Sequence, residues 1–428
     1  MNLFLAAAIA LIAGLLVTRL TSRLRLPDVT AYLIAGVLVG PFVLGRLGVP
    51  GLGFNTLEQV GTLGFIPTTA LGFIAFTIGN EFKLSDLKKT GKKILIVGIF
   101  EGVLTSLVVD AALLLATLFL KGTVSVAGAI TMGAIAAATA PAATLMVVRQ
   151  YKAKGEVVDV LLPVVALDDA VGLAVFAVSF GIARALSGGT VDMISIALEP
   201  LLQIVLSLVL GAALGEVLTR LETLFHSNRN RTAMIVGFVL LTVALSMLEF
   251  DLGPVHISFS ALLTCMALGV VFCNRCPLAD DMMEKVDRWT SPLFALFFIL
   301  SGAALDLSVF QSVAVVGIGL IYILFRCVGK YAGAYLGTRI TGYGPKVRRW
   351  LGITLFPQAG VALGMSVTVS SWGAEGALIR SIILFGVLVY ELVGPVMTKY
   401  ALTRSGDIQP MAPEVANRRA NALAAKNK

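Results

Sequence analysis

The chain has 428 residues and a formal net charge of +8, yet only 14% of its residues are charged and 57% are hydrophobic. Soluble domains carry about 25% charged residues, so this composition excludes an ordinary soluble protein and indicates one that crosses a membrane several times. The basic balance does not indicate nucleic-acid binding, because the positive charges lie in short loops between apolar segments, where they orient a membrane protein.

Apolar segments recur along the chain, and most are long enough to cross a bilayer, for which a helix needs about 20 residues. We predict an all-α polytopic membrane protein with thirteen transmembrane helices. The first is predicted to be a retained helix rather than a signal peptide, because its basic residues follow the apolar run. The predicted helices cover residues 2–19, 28–45, 59–79, 94–120, 124–148, 159–184, 195–219, 231–248, 256–273, 289–305, 309–338, 350–372 and 377–401.

The basic residues predict the orientation of the chain. If the N-terminus lies outside, the cytoplasmic loops and the C-terminus hold 27 of the 33 lysines and arginines, and the external loops hold four. Cytoplasmic loops of membrane proteins are enriched in these residues, so the ratio supports that orientation. We therefore predict a multi-pass protein of the bacterial inner membrane, with a basic cytoplasmic tail, residues 404–428, that contacts membrane lipids.

The two halves of the chain are weakly similar to each other. Segment three ends in LGFIAFTIGNEFKLSDL and segment ten ends in LFALFFILSGAALDLSVF, so that Gly79 matches Gly302. The fifth and twelfth segments each contain a central proline, Pro141 and Pro357. An offset of seven helices reverses the topology, which predicts two inverted repeats of six helices, an arrangement typical of transporters.

Segment six contains two adjacent acids near the bilayer midplane, Asp168 and Asp169. An acid at the centre of a spanning helix costs about 3 kcal/mol to insert, which favours a functional role. Carboxylate oxygens are ligands for Na⁺ or Li⁺ and they also bind protons. We therefore predict a site at which a metal cation such as Na⁺ and protons compete for both aspartates. The alternative interpretation is a buried structural pair.

Two segments are predicted to be broken near their centres. Pro141 in segment five removes a backbone donor, and the freed carbonyls and the hydroxyls of Thr139 and Thr144 are candidate ligands of an ion. Segment twelve repeats the pattern with Pro357 and Gln358. Two broken helices that cross near the midplane would direct their half-helix dipoles at a nearby charge. The alternative is a pair of ordinary proline kinks.

Segment eleven carries two basic residues one turn apart, Arg326 and Lys330, beside a GxxxGxxxG stripe that begins at Gly329. The stripe predicts tight packing against a neighbouring helix. A buried lysine needs a carboxylate partner, and we predict Asp168 for Lys330, which could also release the second proton of the pair. The alternative is that Lys330 snorkels to the cytoplasmic surface. For Arg326 we predict contact with the carbonyls of the broken helices.

Four other acids lie within predicted helices: Glu101, Asp110, Glu216 and Glu391. We assign none of them to ion binding. Glu216 and Glu101 are predicted to lie within reach of the cytoplasmic side. Asp110 and Glu391 are predicted either to pair with Arg326 or to neutralise charge in the core. Arg326 and Glu391 are kept as secondary candidates for the site.

The sequence offers little sign of a cofactor. Cys273 and Cys276 form a CxxC, but no further metal ligands lie near them, so the four cysteines are interpreted as reduced structural thiols. No glycine-rich loop follows a strand and no nucleophile–base pair lies in the apolar segments. We therefore expect no cofactor, no nucleic-acid partner and no enzymatic activity.

With these motifs the chain resembles the monovalent cation:proton antiporters, most of all the bacterial Na⁺/H⁺ exchanger and potassium-efflux antiporter branch. The resemblance covers residues 1–403 and rests on LPDVTAYLIAGVLVGP, ATAPAATL, LDDAVGL, the GK of segment eleven and LFPQAGVALG. It implies a sodium/proton antiporter-like fold, a homodimer and an elevator motion. It also implies a dimer part at about 1–80 and 231–306, a linker helix at about 195–219, and a core part at about 94–184 and 309–401.

The resemblance also implies roles for single residues. Asp169 matches the family's nearly universal ion-binding carboxylate, and Asp168 matches the position that is aspartate in electrogenic members. Lys330 matches the lysine that pairs with that aspartate, and Thr139 falls where the crossing helix approaches the site. Ala140 stands where some sodium antiporters have an acid, which leaves the choice of cation open.

The sequence thus predicts a secondary antiporter that exchanges Na⁺, or Li⁺ or K⁺, for H⁺, electrogenically and by alternating access. Two competing hypotheses remain. An uncoupled cation channel would need a continuous pore, and its flux would not depend on protons. A sodium symporter for organic anions, of similar fold, would be expected to have fewer intramembrane acids and a larger cavity.

Overall fold

The computed structural model describes residues 3–24, 26–49, 53–80, 84–119, 124–186, 193–252, 255–305, 307–369 and 372–409. Over these residues the chain is helical apart from turns, loops and one short antiparallel pair of strands, β1 (Phe250–Leu252) and β2 (Val255–Ile257). The predicted all-α class is therefore confirmed. Most of the predicted tail, residues 410–428, lies outside the described residues.

Sixteen α-helices follow one another in the described part of the chain. Those of the first half are α1 (Leu3–Thr21), α2 (Asp28–Val39), α3 (Leu57–Gly61), α4 (Phe65–Asn80), α5 (Leu84–Phe119), α6 (Val126–Ala136), α7 (Pro141–Gln150) and α8 (Glu156–Leu186). Those of the second half are α9 (Met193–Glu222), α10 (Asn228–Ser246), α11 (Ala261–Arg275), α12 (Ala279–Ala303), α13 (Val313–Ile340), α14 (Pro345–Thr354), α15 (Gly360–Val369) and α16 (Ala374–Ser405).

Eight of the helical stretches are long and apolar enough to cross a membrane, judged by length and composition. They are α1, α5, the pair α6 and α7, α8, α9, α10, α13 and α16, and three shorter apolar helices, α2, α4 and α11, accompany them. Each of the thirteen predicted segments coincides with a helix or a helix pair. That all thirteen span the membrane stays a prediction.

Two of the predicted segments are interrupted. Between α6 and α7 the residues 137–140 are not helical, and α7 begins at Pro141, which suits the first turn of a helix because that turn needs no N–H from it. Ala140, before the proline, has the extended backbone that such a position favours. Between α14 and α15 the residues 355–359 are not helical either, and they include Pro357.

The glycine stripe of α13 packs directly on α5. A Cβ added at Gly333 would lie 2.7 Å from the Cα of Glu101, and one added at Gly329 would lie 2.7 Å from the Cα of Thr105. Only glycine allows two helix backbones to approach this closely. This is the tight packing that the stripe predicts. It fixes the position of α5 along the axis of α13, which we call the height of α5.

The helices form two sets. In the first set α1, α2, α4, α9, α10, α11 and α12 pack on one another, and in the second set α5, α6, α7, α8, α13, α14, α15 and α16 do so. The sets meet where α2 contacts α7 and α16, where α4 contacts α7, and where α8 contacts α9. The candidate residues Asp168, Asp169 and Lys330 all belong to the second set.

Candidate functional site

Asp168 and Asp169 lie near the middle of α8, and each residue is only 1% exposed. Neighbouring residues of a helix point about 100° apart, so the two carboxylates face different surroundings. Asp168 Oδ2 accepts a hydrogen bond from Thr139 Oγ1 at 2.5 Å and another from Lys330 Nζ at 3.2 Å. Thr139 belongs to the break between α6 and α7, so Asp168 ties α8 to that break.

Asp169 lacks such partners. Neither of its carboxylate oxygens accepts a hydrogen bond from any residue that the structure describes, and the same is true of Oδ1 of Asp168. A buried carboxylate without partners is expensive to keep charged, so a proton or a cation must neutralise it. These oxygens are hard ligands, and they suit a small monovalent cation as well as protons.

Lys330 lies fully buried on α13 beside Asp168. Its Nζ donates to the carbonyl oxygen of Ala137 at 2.5 Å and to Thr139 Oγ1 at 2.7 Å. It also forms ion pairs with Asp168 and with Glu101. An ammonium held by this many acceptors does not reach the surface. Lys330 therefore does not snorkel, which was the alternative interpretation of the sequence.

The two interrupted helices touch each other at their breaks. The backbone N–H of Ala140 donates to the carbonyl oxygen of Pro357 at 2.9 Å. The side-chain amide of Gln358 donates from Nε2 to the carbonyl oxygen of Ile135 at 3.0 Å. Each break thus satisfies backbone groups that the other leaves without a helical partner, which stabilises irregular backbone inside a membrane protein.

Arg326 binds the carbonyl oxygens that the breaks expose. Its Nε donates to Ala136 at 2.9 Å, its Nη2 to Ala138 at 2.7 Å and its Nη1 to Phe356 at 2.7 Å. The guanidinium also lies over the ring of Tyr390, 4.5 Å from its centroid. The sequence predicted this contact with the break carbonyls, and the guanidinium is occupied by them rather than by a carboxylate.

The remaining predicted candidates are Thr144 and Glu391, both buried. The Thr144 hydroxyl turns to the carbonyl oxygens of Ala140 and Thr354, at 3.5 and 3.4 Å, and so helps to join the two breaks. Glu391 on α16 is 8% exposed, and its Oε2 accepts no hydrogen bond from the described residues. Their roles in ion binding stay predictions.

Glu101 is the site residue that the sequence analysis missed. The sequence predicts it within reach of the cytoplasmic side and assigns it no role in the site, whereas in the structure it is 0% exposed and its carboxylate forms an ion pair with Lys330. The predicted helix began at residue 94, whereas α5 begins at Leu84, so Glu101 lies deeper in the helix than expected. The one signal in the sequence is an acid within an apolar run, which favours a functional role. Glu216, by contrast, is part-exposed and pairs with Arg220 and Arg275, as its position near a helix end suggested.

A cavity of about 1620 Å³ lies where the two sets of helices meet. Its wall includes Asp28 of α2, Arg149 of α7 and Asp287 of α12, all near segment ends that are predicted to be cytoplasmic. It also includes Leu162 and Pro163 of α8, which lie less than two turns before the paired aspartates. The cavity therefore extends along α8 towards the site from one side.

Comparison with known proteins identifies relatives over nearly the whole chain. The family model described as sodium/hydrogen exchanger, transmembrane, matches residues 7–404. The ammonium/H⁺ antiporter subunit AmhT of Alkalihalophilus pseudofirmus is 22% identical, over 88% of this chain and 90% of that protein. Cation/H⁺ antiporter 18 of Arabidopsis thaliana is 25% identical over 72% of this chain, which spans only 38% of that longer protein.

The fold is also similar to that of a solved structure. The sodium proton antiporter MjNhaP1 from Methanocaldococcus jannaschii, determined by electron microscopy, superposes with a TM-score of 0.71. The alignment covers 95% of this chain and 96% of that one at 19% sequence identity. At this identity the similarity supports the fold alone.

Proposed function

Because the chain belongs to the transmembrane sodium/hydrogen exchanger family, we propose that it exchanges a monovalent cation for protons at Asp168 and Asp169. The family is one of transporters rather than enzymes, and the chain is a multi-pass membrane protein. The observation that carries the proposal is the buried Asp169 carboxylate, whose two oxygens accept no hydrogen bond from the described residues.

The chemistry of exchange follows from that carboxylate. In a site of low dielectric a charged and unpaired carboxylate is unstable, so it holds either a proton or a cation. Because both guests use the same oxygens, binding of one displaces the other. A cation entering from the cytoplasm would release protons from Asp168 and Asp169, the loaded site would become accessible from outside, and protons would then displace the cation there.

The broken helices support this site electrostatically. The carbonyl groups at the end of α6 carry the negative end of its dipole, and Arg326 and Lys330 donate to three of them, at Ala136, Ala137 and Ala138. The two cations thereby offset the negative field of the helix end. The aspartates then face a surrounding that is not already strongly negative, so that a cation can both bind and leave.

We infer an elevator mechanism from the two sets of helices. The core part, at about 94–184 and 309–401, would move against the dimer part, at about 1–80 and 231–306, with residues 195–219 as the linker helix. The cavity between the sets supports an inward-open state, since its wall lies near predicted cytoplasmic ends. The proposal also includes a bacterial inner-membrane location, a homodimer and thirteen spans with inverted repeats. The N-terminus would lie outside and the C-terminus in the cytoplasm.

We propose Na⁺ as the cation, with Li⁺ and K⁺ as alternatives. The free ligands in the site are carboxylate oxygens, which favour hard alkali cations. The relatives are named for different cations, since one is an ammonium/H⁺ antiporter subunit and the similar structure is a sodium proton antiporter. Two titratable aspartates further suggest two protons per cation, which makes the exchange electrogenic.

The test is a proton-flux assay in liposomes. With the protein reconstituted at an imposed ΔpH, addition of NaCl, LiCl or KCl should collapse the gradient, and Asp169→Asn should abolish this effect. Glu216→Gln, which changes a part-exposed surface glutamate on α9, is the matched control and should behave like the wild type. Full cation-dependent proton flux in Asp169→Asn would overturn the proposal.

The same assay separates the competing hypotheses. A channel would pass the cation without moving protons, and a sodium symporter would need an organic anion for any flux. Asp168→Asn is expected to become electroneutral or inactive, because it removes one of the two proton-binding groups. Full electrogenic exchange in that variant would contradict the proposed stoichiometry.

A further inference from the structure

Glu101 and Lys330 form an ion pair in which both side chains are 0% exposed. Glu101 lies on α5 where the glycine stripe of α13 presses on that helix, so its backbone has little freedom to move away from Lys330. Apart from this ion pair, neither carboxylate oxygen of Glu101 accepts a hydrogen bond within the part of the chain that the structure describes. A buried pair of this kind is costly to form, and the carboxyl group of Glu101 also interacts with that of Asp168 in the exchange site.

The ammonium of Lys330 is shared between two helices. It contacts both Glu101 of α5 and Asp168 of α8, whose carboxyl groups also interact with each other, and Asp169 lies within electrostatic reach of it. Three buried carboxylates thus face a single lysine. Arg326 does not serve as a second cationic partner of these carboxylates, because its guanidinium binds the break carbonyls and lies over the ring of Tyr390.

We propose that Glu101 is a positioning residue for ion exchange, which holds Lys330 in its charged form and thereby leaves Asp168 free to exchange its proton together with Asp169. The inference rests on the proposed antiport function and deepens it. It assigns both exchanged protons to the two aspartates and none to Lys330.

The charges of the two loaded states follow directly. With protons bound, Asp168 and Asp169 are neutral, and Glu101 and Lys330 cancel each other. With a cation bound, both aspartates are ionised, the ion pair is unchanged, and the cation offsets one of the two new negative charges. Two protons therefore leave for each cation that enters, and Lys330 needs neither to gain nor to lose a proton.

Without the Glu101 carboxylate, the number of protons exchanged per cation changes. Lys330 then has Asp168 as its remaining carboxylate partner in the site, and the two stay ionised together in both loaded states. Asp169 alone gains and loses a proton. Replacing Glu101 by glutamine is thus expected to convert an exchange of two protons per cation into an exchange of one.

The null point of transport measures this ratio. Wild type and Glu101→Gln are reconstituted in liposomes with the membrane potential clamped at zero, and the Na⁺ gradient that just stops proton flux is found for a fixed proton gradient. Two protons per Na⁺ require an Na⁺ gradient equal to the square of the proton gradient, whereas one proton requires equal gradients. The null point does not depend on how much of the protein is active.

Three further variants sharpen the test. Glu101→Asp keeps the charge and should retain two protons per Na⁺. The double variant Glu101→Gln, Lys330→Met removes both members of the pair and should return to two protons, because Asp168 is then again free to lose its proton. Glu216→Gln is the surface control and should match the wild type. A purely structural role for Glu101 would not make the ratio of two protons per Na⁺ disappear in Glu101→Gln and return in the double variant.

Each outcome decides the question. A ratio of two protons in Glu101→Gln, or a ratio of one in the wild type, would overturn the inference while leaving cation/proton antiport intact. Absence of coupled flux in the wild type would instead contradict the proposed function. If Glu101→Gln is inactive in liposomes, proton release on adding NaCl to the detergent-solubilised protein replaces the null point, with two protons per Na⁺ expected in the wild type and one in the variant. Loss of folded protein in both Glu101→Gln and the double variant also overturns it, because the pair would then serve folding rather than exchange.

Discussion

Asp407 accepts a hydrogen bond at its Oδ2 from the backbone N–H of Val157, at 2.9 Å, and so caps the first turn of the helix that carries the paired aspartates. The same oxygen accepts from the N–H of Val158 at 3.1 Å, and Oδ1 pairs with Lys346 at 2.7 Å. Gly406, with φ of 80°, ends α16 in the left-handed conformation that turns Asp407 back onto α8. The end of the last described helix is thereby attached to the beginning of α8.

Replacing Asp407 by alanine should destabilise the protein. The N–H groups of Val157 and Val158 would lose their acceptor in a buried position, and Lys346 would lose its partner, which we expect to cost about 2 kcal/mol. Thermal unfolding in detergent measures the change. Glu284→Ala, which breaks the exposed pair with Arg288 on α12, is the control and should alter stability by no more than about 0.5 kcal/mol. Equal effects of the two substitutions would contradict the capping role.

The two threonines predicted as ligands should differ in their effect on transport. Thr139 contacts both Asp168 and Lys330, whereas Thr144 contacts backbone carbonyls. Thr139→Val keeps the shape but removes a hydrogen bond to charged groups, worth about 1.5–3 kcal/mol, so the KM for the cation should change by about tenfold or more. Thr144→Val should leave the KM close to that of the wild type. The initial rate of ΔpH collapse against cation concentration measures both, and equal KM changes would contradict the assignment.

The features that the sequence predicted correctly depend on local signals. The apolar run predicted as 309–338 coincides closely with α13 (Val313–Ile340), because an uninterrupted apolar stretch leaves little choice of structure. Pro141 marks the start of α7 because proline has no backbone N–H to donate and its fixed φ suits the first turn of a helix. Asp168 and Asp169 were conspicuous because charged residues are rare in such runs.

The features that the sequence did not predict depend on packing between distant segments. The helix predicted from residue 289 begins at Ala279, because its first turns are charged on one face while Met282 and Val286 are fully buried on the other. The pairing of Glu101 with Lys330 depends on the height at which α5 packs against α13. Hydropathy along either helix carries no information about that height.

The height of α5 can be tested at the glycine stripe. Gly333→Ala would place a Cβ 2.7 Å from the Cα of Glu101, so the two helices must separate. Overpacking of this kind typically costs about 1–3 kcal/mol, and it would also move Glu101 away from Lys330, so transport should fall by more than about tenfold. Gly317→Ala lies on the same helix with no atom within 4 Å of the added Cβ, and both its stability and its transport should be unimpaired. Normal transport in Gly333→Ala would show that the close approach is not required.

The proposed elevator motion can be tested at the pair formed by Arg149 and Asp287. Their atoms Nη1 and Oδ1 lie 2.6 Å apart, and the pair joins α7 to α12, that is, the proposed core part to the proposed dimer part. Both residues are partly exposed, so the pair itself contributes little free energy, and a covalent link is a sharper test than removal of the charges. If the two parts move against each other, joining cysteines at positions 149 and 287 with a short bismaleimide should stop transport.

This experiment needs a background without reactive thiols and a matched link within one part. The four native cysteines all lie in the described part of the chain and form no disulfide there, and they would be replaced first: Cys265, Cys273, Cys276 and Cys327. The control pair is Glu284→Cys with Arg288→Cys, which lie one turn apart on α12 and pair with each other in the wild type. Because both lie on one helix of the proposed dimer part, linking them should leave the transport rate unchanged. If the link between positions 149 and 287 also left the rate unchanged, α7 and α12 would not separate during the cycle, and alternating access would have to arise from smaller motions around the crossing of the two broken helices.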